Sequence, residues 1–148
     1  MYRIVSRKEL APKIKMFEVY APEMAAKAKP GQFIILIADE VGERVPLTIA
    51  GYDTEKGTLS FAFNEVGKST KGLGCLKEGD CIENITGPLG NPSEIRNFGE
   101  VLCVSGGVMI APMLLQLRAL KDAGNSLTTV VGARIKELLF FENIFEEF

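Results

Sequence analysis

The chain has 148 residues, 47% of them hydrophobic and 24% charged, and a formal net charge of −2. This length suits one ordinary domain or two small ones that share contacts, and the composition excludes disordered, collagen-like and coiled-coil proteins. The near-neutral charge gives no general attraction to nucleic acid or to an anionic membrane, so neither is expected as a partner. Histidine is absent, which excludes Ser-His-Asp and Cys-His catalysis. An enzyme with this sequence is expected to rely on a bound cofactor for its chemistry.

The first two thirds of the chain are predicted to form short strands. Thirteen of the fifteen glycines and six of the seven prolines precede residue 108, so turns are frequent there. Six segments rich in Val, Ile, Thr and aromatic residues are predicted as strands: 3–10, 14–20, 32–38, 45–52, 57–63 and 80–86. Their spacing of about ten residues predicts an antiparallel barrel. A short helix is predicted at 69–77, with Ser69 and Thr70 as candidate N-caps.

The last third is predicted to form longer elements. Residues 101–117 carry no charge and approach the length of a membrane-spanning helix, but the Gly106-Gly107 pair and Pro112 interrupt them. The predicted elements are a strand at 101–105, a helix at 111–123 and a strand at 127–131. This order is typical of a parallel β-α-β unit with a ligand crevice at the strand ends.

Two architectures are therefore predicted. Residues 1–98 are predicted to form the barrel, and residues 99–148 an incomplete α/β domain that ends in a second helix at 136–148. Four phenylalanines of that helix are predicted to face a core: Phe140, Phe141, Phe145 and Phe148. The alternative is that they and the open sheet edge contact a partner, in a homodimer or a heteromer.

The cysteines give no sign of a covalent or metal framework. Cys75, Cys81 and Cys103 are odd in number and have no CxxC spacing, so neither disulfides nor a zinc site is expected. We predict that they are small buried side chains. The opening MYRIVSRKEL lacks the apolar run of a signal peptide, which predicts a cytoplasmic location.

The first candidate motif is Glu43–Ile49, at the start of a predicted strand. Arg44 at a strand edge can pair with a phosphate through its planar guanidinium. Thr48, four residues on, lies on the same face of the strand. The simpler interpretation is an exposed arginine and an ordinary strand threonine.

The second motif is Asn64–Leu73. A glycine, Gly67, precedes Ser69 and Thr70 at the first turn of the predicted helix. Unpaired backbone N–H groups and the positive end of the helix dipole bind phosphate at such a position. A helix cap without any ligand fits the same pattern.

The third motif is Ser105–Pro112, between strand and helix. Glycines at this turn let the backbone approach a pyrophosphate, and Pro112 suits the first turn of a helix. The spacing falls short of GxGxxG, so a turn that merely needs glycine also fits.

Taken together, these motifs resemble the ferredoxin-NADP reductase superfamily. They are R-x-P-L-T at 44–48, G-K-S-T at 67–70, GPLG at 87–90 and GGVxIAP at 106–112. The chain is most similar to the branch of small electron-transfer subunits. That branch includes the iron–sulfur flavoprotein subunit of dihydroorotate dehydrogenase and the small subunits of sulfide dehydrogenase and NADH-dependent ferredoxin:NADP oxidoreductase. The similarity extends over nearly the whole chain.

The resemblance implies an FAD-binding barrel followed by a truncated NAD(P)-binding domain. It implies that Arg44 holds the FAD phosphates and that the Thr48 hydroxyl lies near flavin N5, as the one side chain close to the redox step. The other implied contacts are Pro46 and Leu47 along the isoalloxazine, Gly67, Ser69 and Thr70 at the pyrophosphate, and Gly106, Gly107, Ala111 and Pro112 at the NAD(P) pyrophosphate and flavin edge.

The chain departs from the family pattern in two places. Met109 stands where relatives usually have glycine, and its side chain fills space that a nucleotide would use. The chain also ends before the region that in relatives completes the nucleotide domain and holds the cysteine ligands of a [2Fe–2S] centre. The resemblance thus implies NAD(P) as a substrate, whereas Met109 and the missing part of the nucleotide domain argue against its binding to this chain. No metal ligand is predicted in this chain.

The leading functional hypothesis is an FAD-binding electron-transfer subunit that passes electrons between NAD(P)H and an iron–sulfur partner. The alternative is a non-catalytic flavin-binding or docking fragment for a larger catalytic subunit. The third hypothesis is a barrel that binds no flavin.

Overall fold

The computed structural model describes residues 1–146 and 148. The strands are β1 (Tyr2–Ala11), β2 (Ile14–Tyr20), β3 (Phe33–Ile37), β4 (Val45–Asp53), β5 (Thr58–Asn64), β6 (Cys81–Ile82), β7 (Asn84–Leu89), β8 (Glu100–Gly106) and β9 (Ser126–Gly132). The α-helices are α1 (Pro22–Ala25), α2 (Lys68–Cys75), α3 (Ile110–Asp122) and α4 (Glu142–Phe145), with 3-10 turns at Gly107–Met109 and Lys136–Leu138.

The first seven strands form one antiparallel sheet in the order β6-β1-β2-β5-β4-β3-β7. The segment predicted as one strand at 80–86 is two strands, because the chain bends at Glu83. β6 pairs with β1 through Tyr2 and Ile82, and β7 pairs with β3 through Ile37 and Asn84. Since β6 and β7 are almost contiguous, the two ends of the sheet meet and it curls into a barrel. The predicted antiparallel barrel is confirmed.

Aromatic side chains fill the barrel. Phe17, Phe61 and Phe63 are fully buried, and the Phe17 and Phe63 rings meet edge to face with centroids 5.0 Å apart. Leu59, Phe61 and Phe63 of β5 belong to this core, and Thr58 and Ala62 on the other face of the strand are buried as well. The Thr58 hydroxyl hydrogen-bonds to the Glu18 carboxylate, and Ala62 belongs to a second apolar cluster.

That second cluster joins the α/β unit to the barrel. β8 and β9 are parallel, and α3 packs its Ile110 and Leu117 against Ile14 and Ala62 of the barrel. The predicted β-α-β unit is confirmed, with one difference: α3 begins at Ile110, after a 3-10 turn, rather than at residue 111. The shared core fixes the position of the α/β unit relative to β4 and β5.

The predicted helix at 136–148 is wrong. Only the 3-10 turn at Lys136–Leu138 and the single turn of α4 are helical, and Phe141 between them has a φ of 65°, a left-handed conformation that an α-helix does not accommodate. Position 147 of the predicted helix lies outside the described residues. The prediction that the phenylalanines face a core is confirmed. Phe140 and Phe145 are buried in the second cluster, and Phe141 and Phe148 pack against it.

The cysteine prediction is correct at one position of three. Cys103 is buried, whereas Cys75 and Cys81 are exposed. Cys75 is the last residue of α2, and Cys81 begins the short strand β6 at one end of the sheet. The sequence around these two residues has no pattern that indicates whether they are buried.

The charge-free segment at 101–117 forms β8, the glycine turn and the first half of α3. Across residues 1–146 and 148, no helix is long and apolar enough to cross a membrane.

Candidate functional site

The outward face of β4 presents the first motif. Arg44, just before the strand, and Pro46 are exposed, and Thr48 is half-buried, which places all three on the face that points away from the barrel core. Leu47 points the other way and packs against the core. A ligand on the outer face can therefore contact the Arg44, Pro46 and Thr48 side chains, but only the backbone of Leu47.

The second motif forms the start of α2. The Gly67 N–H donates to Thr70 Oγ1 at 3.1 Å, and the Lys71 N–H donates to the Gly67 carbonyl at 3.0 Å. Within the described residues, the N–H groups of positions 68–70 have no hydrogen-bond partner. The donors that an anion needs at a helix N-terminus are therefore present.

A carboxylate already lies beside this helix start. The Ser69 hydroxyl donates to Glu43 Oε2 at 2.7 Å, and Glu43 and Ser69 line a cavity of about 270 Å³ with Lys68 and Asp39. Glu43 immediately precedes Arg44, so the loop before β4 and the first turn of α2 are in contact. The first two motifs thus lie side by side.

The third motif forms the turn from β8 to α3. Gly107 has a φ of 59°, a conformation that glycine adopts without strain. Gly106 lies opposite Gly132 of β9, and a Cβ there would come 3.1 Å from the Gly132 carbonyl oxygen. Ala111 is buried in the second cluster, so it supports the turn rather than facing a ligand.

A cleft of about 460 Å³ separates β4 from this turn. Its lining residues are Gly31, Thr48, Val104, Ser105, Gly106, Met109, Pro112, Met113 and Gln116. Thr48 from the first motif and Gly106 and Pro112 from the third therefore face one space, although more than fifty residues separate them along the chain. No lining residue carries a charge, and the walls combine apolar groups with a hydroxyl, an amide and backbone. Such a surface suits a planar, uncharged ring system with hydrogen-bonding edges.

Met109 stands at this cleft with 49% of its surface exposed. Its side chain faces the same space as Thr48. The position of Met109 is the structural counterpart of the departure from the family pattern.

Gly31 and Gln116 are among the cleft residues that the sequence motifs do not indicate. Gly31 has a φ of 89°, and a Cβ there would overlap Ser93. Gln116 on α3 donates from Nε2 to Ser93 Oγ at 2.8 Å, and this hydrogen bond joins the cleft wall at Gln116 to the loop before β8. The Pro30-Gly31 pair signals a turn, but nothing in the sequence brings that turn to α3.

Ionisation supports no acid–base centre here. Burial raises the pKa of the Cys103 thiol, which lies on β8 behind the cleft, so this thiol stays protonated. Outside the cleft, a hydrogen bond from the Lys56 backbone N–H lowers the pKa of Asp53. Among the described residues, no group of His, Cys, Asp and Glu side chains could hold a metal ion.

Comparison with known proteins places the chain in a family. No protein-family model matches it. The chain is 45% identical over 144 residues to a dihydroorotate dehydrogenase B (NAD+) electron transfer subunit homologue of Thermotoga maritima, covering 97% of this chain and 51% of that protein. It is 39% identical over 97 residues to the electron transfer subunit of Clostridium acetobutylicum dihydroorotate dehydrogenase B, covering 65% of this chain and 39% of that protein.

A solved structure agrees in sequence and in fold. The NADH-dependent reduced ferredoxin-NADP oxidoreductase superimposes with a TM-score of 0.94 at 44% identity, covering 99% of this chain and 53% of that one. The chain belongs to the electron-transfer-subunit branch of the ferredoxin-NADP reductase superfamily. It spans about half the length of the curated relatives it matches most extensively.

A less similar solved structure shares the fold alone. Phthalate dioxygenase reductase superimposes with a TM-score of 0.76 at 23% identity, covering 99% of this chain and 46% of that one. The overall fold is thus kept where little sequence is shared. The fold of this chain is that of the superfamily's barrel with the first part of its α/β domain.

Proposed function

We propose that this chain binds FAD and belongs to an oxidoreductase subunit that transfers electrons between NAD(P)H and an iron–sulfur partner. The observation that carries the proposal is the uncharged cleft between Thr48 and the Gly106 turn. Thr48 lies on the strand that follows Arg44, and the loop before that strand contacts the start of α2, which has free N–H groups. A planar ring and a pyrophosphate need these two environments side by side. The names of the relatives, electron transfer subunit and ferredoxin-NADP oxidoreductase, support the same function.

The proposed contacts divide the cofactor between the two environments. Arg44 and the free N–H groups of Ser69 and Thr70 bind the phosphates at the turn that Gly67 opens, and Pro46, the Leu47 backbone and Thr48 lie along the ring. The bound flavin supplies the redox chemistry. The Thr48 hydroxyl orients the ring edge by a hydrogen bond, and the cleft walls exclude water from it.

The glycine turn is the proposed contact for NAD(P). Gly106 and Gly107 leave their backbone open to a pyrophosphate, Pro112 borders the cleft, and buried Ala111 holds the start of α3 in place. This arrangement brings a dinucleotide to the same cleft as Thr48. A nicotinamide there would lie near the flavin ring.

The proposed partner is a larger catalytic or iron–sulfur subunit. The relatives' names describe subunits that transfer electrons. A cytoplasmic location is part of the same proposal.

A non-catalytic flavin-binding fragment is the second candidate, and the position of Met109 in the cleft favours it. The two candidates differ in one measurable property. The FAD-loaded chain is mixed with NADH or NADPH without oxygen while the visible absorption band of the flavin is followed. Bleaching of the band supports the reductase; a band that persists with both nucleotides excludes it for this chain and supports the fragment.

Met109→Ala is expected to speed this reduction. The substitution removes the side chain from the cleft without adding the backbone freedom of glycine. Relief of overpacking by about 1.4 kcal/mol corresponds to about a tenfold gain in nucleotide affinity. Rates of anaerobic flavin reduction over a range of NADH and NADPH concentrations measure it. Met113→Leu, in the same cleft, is the control and should change little; equal rates in wild type and Met109→Ala would show that Met109 does not obstruct the nucleotide.

A further inference from the structure

A buried ion pair lies behind the helix that begins with the second motif. Lys15 on β2 is 8% exposed, and its Nζ lies 2.5 Å from Glu65 Oε1 and 3.0 Å from the Gly74 carbonyl oxygen. Glu65 belongs to the segment that enters α2, and Gly74 to the last turn of α2. One ammonium group thus holds both ends of the same helix against the barrel. We call Lys15, Glu65 and Gly74 the Lys15 clamp.

Gly74 makes this contact sterically feasible. A Cβ at Gly74 would overlap Glu65 Oε1, so the absence of a side chain there gives the carboxylate its place. Arg7 on β1 also reaches the Gly74 carbonyl, from its guanidinium at 3.4 Å. Two cations therefore lie at the C-terminal end of α2, where the negative end of the helix dipole attracts them.

Burial of such a pair is a weak source of stability, because desolvation of both charges offsets their attraction. Its effect on geometry is stronger. Lys15 makes contacts with partners nine residues apart, and the Glu65 N–H also donates to the Lys13 carbonyl at 2.8 Å. The segment before α2 and its last turn are both tied to β2, so the first turn between them has little freedom to tilt.

We propose that Lys15 is a positioning residue for phosphate binding: it aims the free N–H groups at the start of α2 without touching the ligand. This inference rests on the proposed function, in which those groups bind the FAD pyrophosphate. Preorganised donors cost less entropy to order when the anion binds. Loss of the clamp should therefore weaken binding of the phosphate-bearing half of FAD and spare the ring half.

The test compares two flavins. Lys15→Met should raise the dissociation constant of FAD about tenfold, the order expected when a few binding groups lose their preorganisation. Its affinity for riboflavin, which has no phosphate, should stay at the wild-type value. The matched control is Lys56→Met, which breaks the exposed pair between Lys56 and Asp53, 3.3 Å apart at the β4–β5 turn. That variant should bind both flavins as the wild type does.

Further variants separate positioning from folding. Lys15→Met leaves Glu65 without its partner, so Lys15→Met/Glu65→Leu removes both charges. If the single variant does not fold, the double variant is measured in its place and should show the same loss confined to FAD. Lys15→Arg keeps a cation that can reach Glu65 and should recover part of the FAD affinity.

Three results would contradict the inference. Wild-type FAD affinity in a folded variant without the clamp would overturn it and leave the proposed function standing. Equal losses for FAD and riboflavin would show a structural role alone. A wild-type chain that binds no FAD would overturn the proposed function and this inference together.

Discussion

Arg44→Ala is expected to weaken FAD binding about thirtyfold. Arg44 is exposed, and the preceding residue, Glu43, accepts a hydrogen bond from Ser69 in the first turn of α2, where the phosphates of the cofactor are proposed to lie. Loss of one charge-assisted hydrogen-bonded contact costs about 2 kcal/mol, which corresponds to that change in affinity. Fluorescence titration of FAD into the purified variant measures it, and riboflavin should bind the variant as it binds the wild type.

Two substitutions make this result specific. Arg44→Lys keeps the charge but not the two-pronged geometry, so its FAD affinity should lie between wild type and Arg44→Ala. Arg3→Ala removes another exposed arginine, on β1, and should leave FAD affinity unchanged. Unaltered affinity in Arg44→Ala would show that Arg44 is an ordinary surface residue and that the first motif does not bind phosphate.

Phe17→Ala is expected to lower the free energy of unfolding by about 3–5 kcal/mol, the usual cost of deleting a fully buried aromatic side chain. Phe17 contacts Phe61 and Phe63 in the centre of the barrel, and the rigid strands around it leave the cavity unfilled. Urea denaturation followed by circular dichroism measures the loss. Because β4 belongs to the same sheet, FAD is expected to dissociate from the variant at a lower urea concentration than from the wild type.

Phe98→Ala is the control for this substitution. Phe98 is 43% exposed, and its ring lies under the Arg96 guanidinium outside the barrel. Phe98→Ala should lower the free energy of unfolding by much less than Phe17→Ala does. Similar losses for the two variants would contradict a barrel core centred on Phe17.

The barrel strands were predictable because their signals are local. Apolar alternation in β5 and the turn residues between strands both lie within a few residues of the feature they determine. The bend that divides β6 from β7 was not predictable, because it depends on pairing with β1 and β3, which are far away in the sequence. The helix predicted at 136–148 fails for the same reason. Tertiary packing of Phe140 and Phe145 overrides the helical pattern, and Phe141 takes a left-handed conformation.

In the candidate site too, local features were predictable from the sequence and long-range contacts were not. The sequence indicated three separate phosphate-binding motifs, each by its own glycine or arginine pattern. Only the packing of α3 on the barrel brings Thr48 and Gly106 to one cleft, and only that packing adds Gly31 and Gln116 to it. The Lys15 clamp was equally hidden, because Lys15, Glu65 and Gly74 come from three segments and a lysine in a strand is normally exposed.

We propose that this chain binds FAD across the cleft and the start of α2, and titration of the purified protein with FAD, riboflavin and ADP is the decisive experiment. Flavin fluorescence should change saturably with one FAD per chain. FAD should bind more tightly than riboflavin, and ADP should compete with FAD, because Arg44 and α2 contact the phosphates. No saturable binding of FAD, or equal affinities for FAD and riboflavin with no competition by ADP, would contradict the account.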